Sequence, residues 1–130
     1  MDEQQLMKKA MQAMRLSYAP YSKFTVGVAL LSSQGEVFLG ANIENASFGA
    51  TICAERVALS CALMAGARQF EAIAIVANSD EIVLPCGICR QVLVEHCTPT
   101  LKVICSNQLE AFKSYPLSDL MPIAFTNYSV

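Results

Sequence analysis

Apolar positions along the chain follow two periods, and each predicts an element. From Asp2 to Ser17, Leu6, Ala10 and Met14 lie on one line with Met7 and Met11 beside them, the 3.6-residue period of an amphipathic helix with Asp2 as its N-cap. Pro20 disfavours helical geometry in Ala19, so the helix should give way to a turn at Tyr18-Ala19-Pro20-Tyr21. Val26 to Ser33 and Val37 to Asn42 read as strands joined by Ser33-Gln34-Gly35, a hairpin and the one antiparallel pair the pattern specifies. Residues 42–52 follow neither period and read as a loop. A helix is expected from about Cys53 to Ala65, closed by Gly66 as a glycine C-cap. Glu71 to Ser79, rich in Ile, Val and Ala, reads as a strand buried on both faces, which favours parallel pairing under helices.

After a loop from Asp80 to Leu84, the turn at Pro85 leads into a helix that runs through about Cys97 and breaks before Pro99. Leu101 to Cys105 is another buried strand and Glu110 to Tyr115 a short last one, while Pro116 to Pro122 holds at most a turn or two of helix. Hairpin, helix, strand, helix, strand predicts a three-layer α/β/α sandwich with a mixed sheet of about five strands. Its length suits a single domain over residues 1–130.

Composition narrows the partners. With 54% hydrophobic and 15% charged residues, the chain is more apolar than an average domain, which points to surface buried against other subunits. Nine basic residues against eleven acidic ones give a net charge of −2, poorly suited to nucleic acid and better suited to a small molecule. No apolar run has the length of a membrane span, and Met1-Asp2-Glu3-Gln4-Gln5 is acidic where a signal peptide is basic, so a cytoplasmic location is expected. Six cysteines there argue for metal ligation or buried thiols over disulfides. Cys61, Cys97 and Cys105 lie in apolar runs and are expected in the core.

The chemistry is concentrated in two segments. Pro85-Cys86-Gly87-Ile88-Cys89 places two thiols at i and i+3 where a helix begins, so both point to one side and the helix start favours their thiolate forms. A catalytic zinc takes three protein ligands and keeps one position open, whereas a structural zinc takes four. Cys53, in Thr51-Ile52-Cys53-Ala54-Glu55-Arg56, is the candidate third ligand. Arg56 and Arg90 are near enough in sequence to donate to the thiolates and draw off charge. Glu55 separates the two classes of site, since a catalytic zinc needs a base and a structural one does not. Spacing alone leaves the orientation of Glu55 open. His96, late in its helix, suits the negative end of the helix dipole and has a structural role.

Cys53-Ala54-Glu55 together with Pro85-Cys86-Gly87-Ile88-Cys89 resembles the zinc deaminase signature, in which a glutamate that is not a ligand moves protons. More narrowly, the chain resembles the small homotetrameric cytidine deaminases of the three-cysteine type over nearly its full length. Ala19-Pro20-Tyr21-Ser22-Lys23-Phe24 is similar to their N-terminal turn, Asn42-Ile43-Glu44-Asn45-Ala46 to their ribose-binding loop, and Leu120-Met121-Pro122 with Phe125 to their tail. That resemblance implies Zn2+ on Cys53, Cys86 and Cys89, with Glu55 as the catalytic proton carrier. It also implies ribose contacts from Asn42 and Glu44, packing of Phe24 on the base, and an Ala54 amide at the pyrimidine carbonyl. Arg56 would offset the thiolate charge, and Phe125 would enter a neighbouring subunit's site. The implied reaction is hydrolytic deamination of cytidine and 2'-deoxycytidine to uridine and 2'-deoxyuridine, a step of pyrimidine salvage, in a homotetramer with sites at subunit interfaces. Three other readings share part of the pattern: a deaminase of bases in nucleic acid, a deaminase of a modified nucleoside, and a structural zinc module with a fourth thiolate from Cys61, Cys97 or Cys105.

Overall fold

The structure, a computed structural model, describes residues 1–127. Helix α1 spans Glu3–Met14 and opens on a capping box, in which the Asp2 carboxylate accepts from the Gln5 N–H at 2.8 Å and the Gln5 side chain accepts from the Asp2 N–H at 2.9 Å. It ends three residues before Ser17. The Leu16 and Ser17 N–H groups close tight turns onto the Ala13 and Met14 carbonyls, and Tyr18 then donates to Asn42 in the next segment.

Among the described residues the remaining elements are β1 (Val26–Ser32), β2 (Val37–Ala41), a 3-10 turn (Phe48–Ala50) within the 42–52 loop, α2 (Ala54–Met64), β3 (Phe70–Ala77), α3 (Gly87–His96), β4 (Lys102–Ser106), β5 (Phe112–Pro116) and the single turn α4 (Leu117–Leu120). One mixed sheet runs β2-β1-β3-β4-β5. The hairpin pairs antiparallel as expected, but it is not alone. β3 also runs antiparallel to β1, with Val28 opposite Ile75, and β5 runs antiparallel to β4. Among the strands of this sheet, as described, β3 and β4 form the parallel pair. Burial on both faces marks β3 as a central strand without fixing its direction.

Helices cover both faces, giving the three expected layers. Alternate residues Val28, Leu30, Ile73, Ile75 and Val103 pack with Ala58, Leu59 and Ala62 of α2 and Leu93 of α3. The opposite set, Ala29, Leu31, Ala72, Ala74, Val76 and Ile104, packs under Leu6, Met7 and Ala10 of α1. Each fully buried Leu or Ile contributes about 1.5–3 kcal/mol. Gly66 follows α2 with φ +92°, the left-handed position that closes the helix.

Two of the three remaining cysteines are sheltered and one is not. Burial pushes the Cys105 thiol up to about 11 and the half-buried Cys97 thiol up to about 12, so both stay protonated. Cys61 is exposed, contrary to the core role expected of it. Ala58, Leu59 and Ala62 take the inward face of α2, which leaves Cys61 facing out.

Candidate active site

Two helix starts meet at the cysteines. Cys53 is the N-cap of α2 and Cys86 the N-cap of α3, both in extended backbone conformation, so their side chains project ahead of the first turns. Cys89 lies buried on the first turn of α3. The Cys53 and Cys86 Sγ atoms are 4.0 Å apart, and all three sulfurs lie within 4.8 Å of one another. Tetrahedral zinc with sulfurs at 2.3 Å separates them by about 3.8 Å, so the donor set and spacing fit this metal. Cys61, Cys97 and Cys105 stand outside the cluster, and among the described residues no fourth thiolate completes a structural site.

The position of α2 depends on a close approach to the hairpin. A Cβ on Gly40 of β2 would lie 2.4 Å from the Ala54 carbonyl oxygen and 2.5 Å from the Ala58 nitrogen. Only glycine lets the first turn of α2 lie directly on the strand. The same turn carries Cys53, Ala54 and Glu55.

Charge in the cluster is unevenly shared. A hydrogen bond from Cys89, with further help from Arg56, brings the Cys53 thiol down to about 5, while the same bond and burial push Cys89 up. Arg56 Nη2 donates to the Thr51 carbonyl at 3.3 Å and approaches Cys53 Sγ at 4.0 Å. Arg90 does not reach a thiolate. Its Nε donates to the Pro85 carbonyl at 2.8 Å and its Nη1 to the Leu120 carbonyl at 2.9 Å, pinning α4 to the metal turn. Glu55 is 6% exposed, and its burial, with the Cys53 charge acting in the same direction, raises its carboxyl to about 7. Ala54 is fully buried, and as the first residue of α2 its N–H has no intrahelical acceptor.

Isolated bridges link Tyr18 to Ile43 and Ile43 to Ile52, which carries the 42–44 segment to the residue before Cys53. Asn42 Oδ1 accepts from Ser17 Oγ at 2.5 Å and from the Val26 N–H at 2.9 Å, and its Nδ2 donates to the Phe24 carbonyl at 2.8 Å. Glu44 Oε1 accepts the Tyr21 and Ser22 N–H groups at 3.0 and 3.1 Å, and Oε2 accepts from the Ser22 hydroxyl. The Ser22 hydroxyl, more than any other contact, holds the Glu44 carboxyl below the usual carboxylate range. The Phe24 and Phe125 rings are exposed, and Gln91 Nε2 of α3 donates to the Phe125 carbonyl at 2.8 Å.

The family model for the cytidine and deoxycytidylate deaminase zinc-binding region matches residues 1–105. The chain belongs to this deaminase family. It is 50% identical to a cytidine deaminase of Halalkalibacterium halodurans over 97% of this chain and 96% of the relative. A second, from Sporosarcina psychrophila, is 40% identical over 97% of this chain and 93% of that one. The structure of this chain is similar to the crystal structure of cytidine deaminase from Burkholderia pseudomallei, with a TM-score of 0.93 at 46% identity, covering 96% of this chain and all of that one. A cytidine deaminase from Mycobacterium tuberculosis gives a TM-score of 0.86 at 37% identity, covering 98% and 99%.

Zinc is the metal of the deaminase family's matched region, and Cys53, Cys86 and Cys89 are the three residues here that fit it. The fold brings Glu55 and Arg56 to these cysteines, and Asn42 and Glu44 to the turn bearing Phe24. Gly40 carries no signal in the sequence, and its role is visible only once β2 and α2 touch. Ser22 and Gln91 carry none either, because their bonds to Glu44 and Phe125 link segments far apart in the chain.

Proposed function

We propose that the protein hydrolyses cytidine and 2'-deoxycytidine to uridine and 2'-deoxyuridine with release of ammonia, a step of pyrimidine salvage. The observation that carries this reading is the placement of Glu55, a buried carboxyl beside three clustered thiols. Bound zinc supplies the Lewis acidity that makes water nucleophilic near neutral pH. Glu55 takes the proton of the attacking water and gives it to N3 of the pyrimidine as oxygen bonds to C4. It then carries the proton of the new C4 hydroxyl to the exocyclic nitrogen, the C4–N bond breaks, and the C4 carbonyl forms as ammonia leaves. The Ala54 N–H, free at the helix start, donates to the pyrimidine carbonyl. Arg56 offsets the charge of the thiolates.

Hydrogen-bond capacity supports sugar recognition by Asn42 and Glu44. Asn42 has filled both Oδ1 lone pairs and used one Nδ2 hydrogen, which leaves one donor. Glu44 has accepted three bonds, which leaves capacity on Oε2. One donor and one acceptor suffice for a single hydroxyl, so the 3'-hydroxyl common to both nucleosides is enough. Phe24 packs on the base.

The same reading places one domain over residues 1–130 in a cytoplasmic homotetramer, with Phe125 of each subunit entering a neighbour's site. Exposed Phe48, Met64, Ile123 and Phe125 support burial between subunits, and free cysteines suit a reducing compartment. The test is turnover by zinc-loaded protein of cytidine, 2'-deoxycytidine, cytosine and a cytosine-containing single strand. Turnover of the two nucleosides alone is expected. Equal efficiency on free cytosine would remove the sugar assignment, and silence on both nucleosides would remove the reaction.

A further inference from the structure

We propose that Asn78 is a positioning residue that sets the direction of the Phe24 ring and so tightens binding of the pyrimidine. The proposal rests on the reading of Phe24 as the residue that packs on the base. Asn78 follows β3, where the β1–β3 ladder ends at the pair Val26 and Ala77. The Asn78 N–H donates to the Thr25 carbonyl at 3.1 Å, adding one step to the ladder. Its carboxamide then acts as the next peptide would: Oδ1 accepts from the Thr25 N–H at 3.0 Å and Nδ2 donates to the Lys23 carbonyl at 2.9 Å.

Those two contacts touch both peptide planes that flank Phe24. The plane before it offers the Lys23 carbonyl, held by Asn78, and the Phe24 N–H, held by Ser22 Oγ at 3.0 Å. The plane after it offers the Phe24 carbonyl, held by Asn42, and the Thr25 N–H, held by Asn78. With both planes fixed at both ends, φ and ψ of Phe24 are set, and the backbone conformation restricts the ring's rotamers. Lys23 sits at φ +61°, a conformation that lysine seldom adopts and that the surrounding bonds must hold. Ser22 and Asn42 also serve the sugar loop, whereas among the described residues the side chain of Asn78 bonds to the two flanks of Phe24 alone. An exposed asparagine with both ends of its carboxamide spent on this one residue is a device for placing it.

The experiment is a double-mutant cycle in the zinc-loaded full chain, with Asn78→Ala and Phe24→Ala singly and together and cytidine as substrate. Asn78→Ala is expected to raise KM roughly tenfold with kcat and zinc content unchanged, the signature of lost binding common to ground and transition states. In the Phe24→Ala background the same change should leave KM where Phe24→Ala put it. Asn78→Ser, which keeps one hydrogen-bonding group, is read alongside and should raise KM less. An unchanged KM in Asn78→Ala overturns the proposal, as does an equal rise with and without Phe24. If Phe24→Ala alone leaves KM unchanged, the base-packing reading itself falls, which the cycle separates from failure of Asn78.

Discussion

At the metal end of the site the working groups are side chains carried on the first turns of α2 and α3, while at the base end side chains hold a stretch of backbone that carries one ring. Cys53, Cys86, Cys89 and Glu55 need only two helix starts brought together. Phe24 lies outside both helix and ladder, so its peptide groups need partners supplied one at a time by Ser22, Asn42 and Asn78. The first arrangement is rigid because the core behind it is rigid. The second is only as firm as a few hydrogen bonds, most of them exposed, each contributing about 0.5–1.5 kcal/mol.

That contrast sets an order of expected effects. Cys86→Ala should abolish zinc binding and bring turnover to background, and chelation of the wild type should do the same; retained stoichiometric zinc in the variant would break the ligand assignment. Glu55→Gln should keep zinc and lose about 10²–10⁴-fold in kcat, measured on protein of verified metal content. Gly40→Ala forces β2 and the first turn of α2 apart and should lower stability by about 1–3 kcal/mol in a urea titration. Zinc affinity should fall with it, since Cys53 rides on that turn; full affinity would mean that the close approach does not position the site.

The smallest effect belongs to the base end. The Ser22 hydroxyl holds the Glu44 carboxyl low, so the stabilisation from that contact is present above the usual carboxylate range and is lost as pH falls through the depressed value. Ser22→Ala should move the Glu44 titration upward toward an ordinary carboxyl, seen by carbon NMR of the side chain. An unmoved titration would show that the two backbone donors alone hold Glu44.

The same contrast explains what could be read from the chain. Cysteines at i and i+3 after a proline, and Cys53 two residues before Glu55, are local patterns, and the helix starts that carry them are local too. Apolar runs bounded by turn residues mark the strands to within a few residues. Direction was not legible for β3, because an apolar run of that kind fits either neighbour orientation. The apolar neighbours of Cys61 in sequence suggest an inside position, although the helical period turns it outward from Ala58 and Ala62. Arg90 looked like a partner for thiolates by proximity in sequence, yet its reach is used on Pro85 and Leu120. Asn78 carried no signal at all: a polar residue after a strand is common, and only the pairing of β1 with β3 brings it to Lys23 and Thr25.

The strand order also bears on how the molecule assembles. The hairpin and the β4–β5 pair close short stretches of chain, whereas the β1–β3 pair encloses β2, the sugar loop and the whole of α2. Closing that long segment costs chain entropy before its contacts repay it, which makes it a slow and late event on the folding pathway. Because Asn78 extends this same ladder, the turn around Phe24 can be ordered only after it closes. A chain interrupted at that stage would have Cys53 beside a formed hairpin, with Cys86 and Cys89 beyond β3 still ungathered and no surface on which to rest a base.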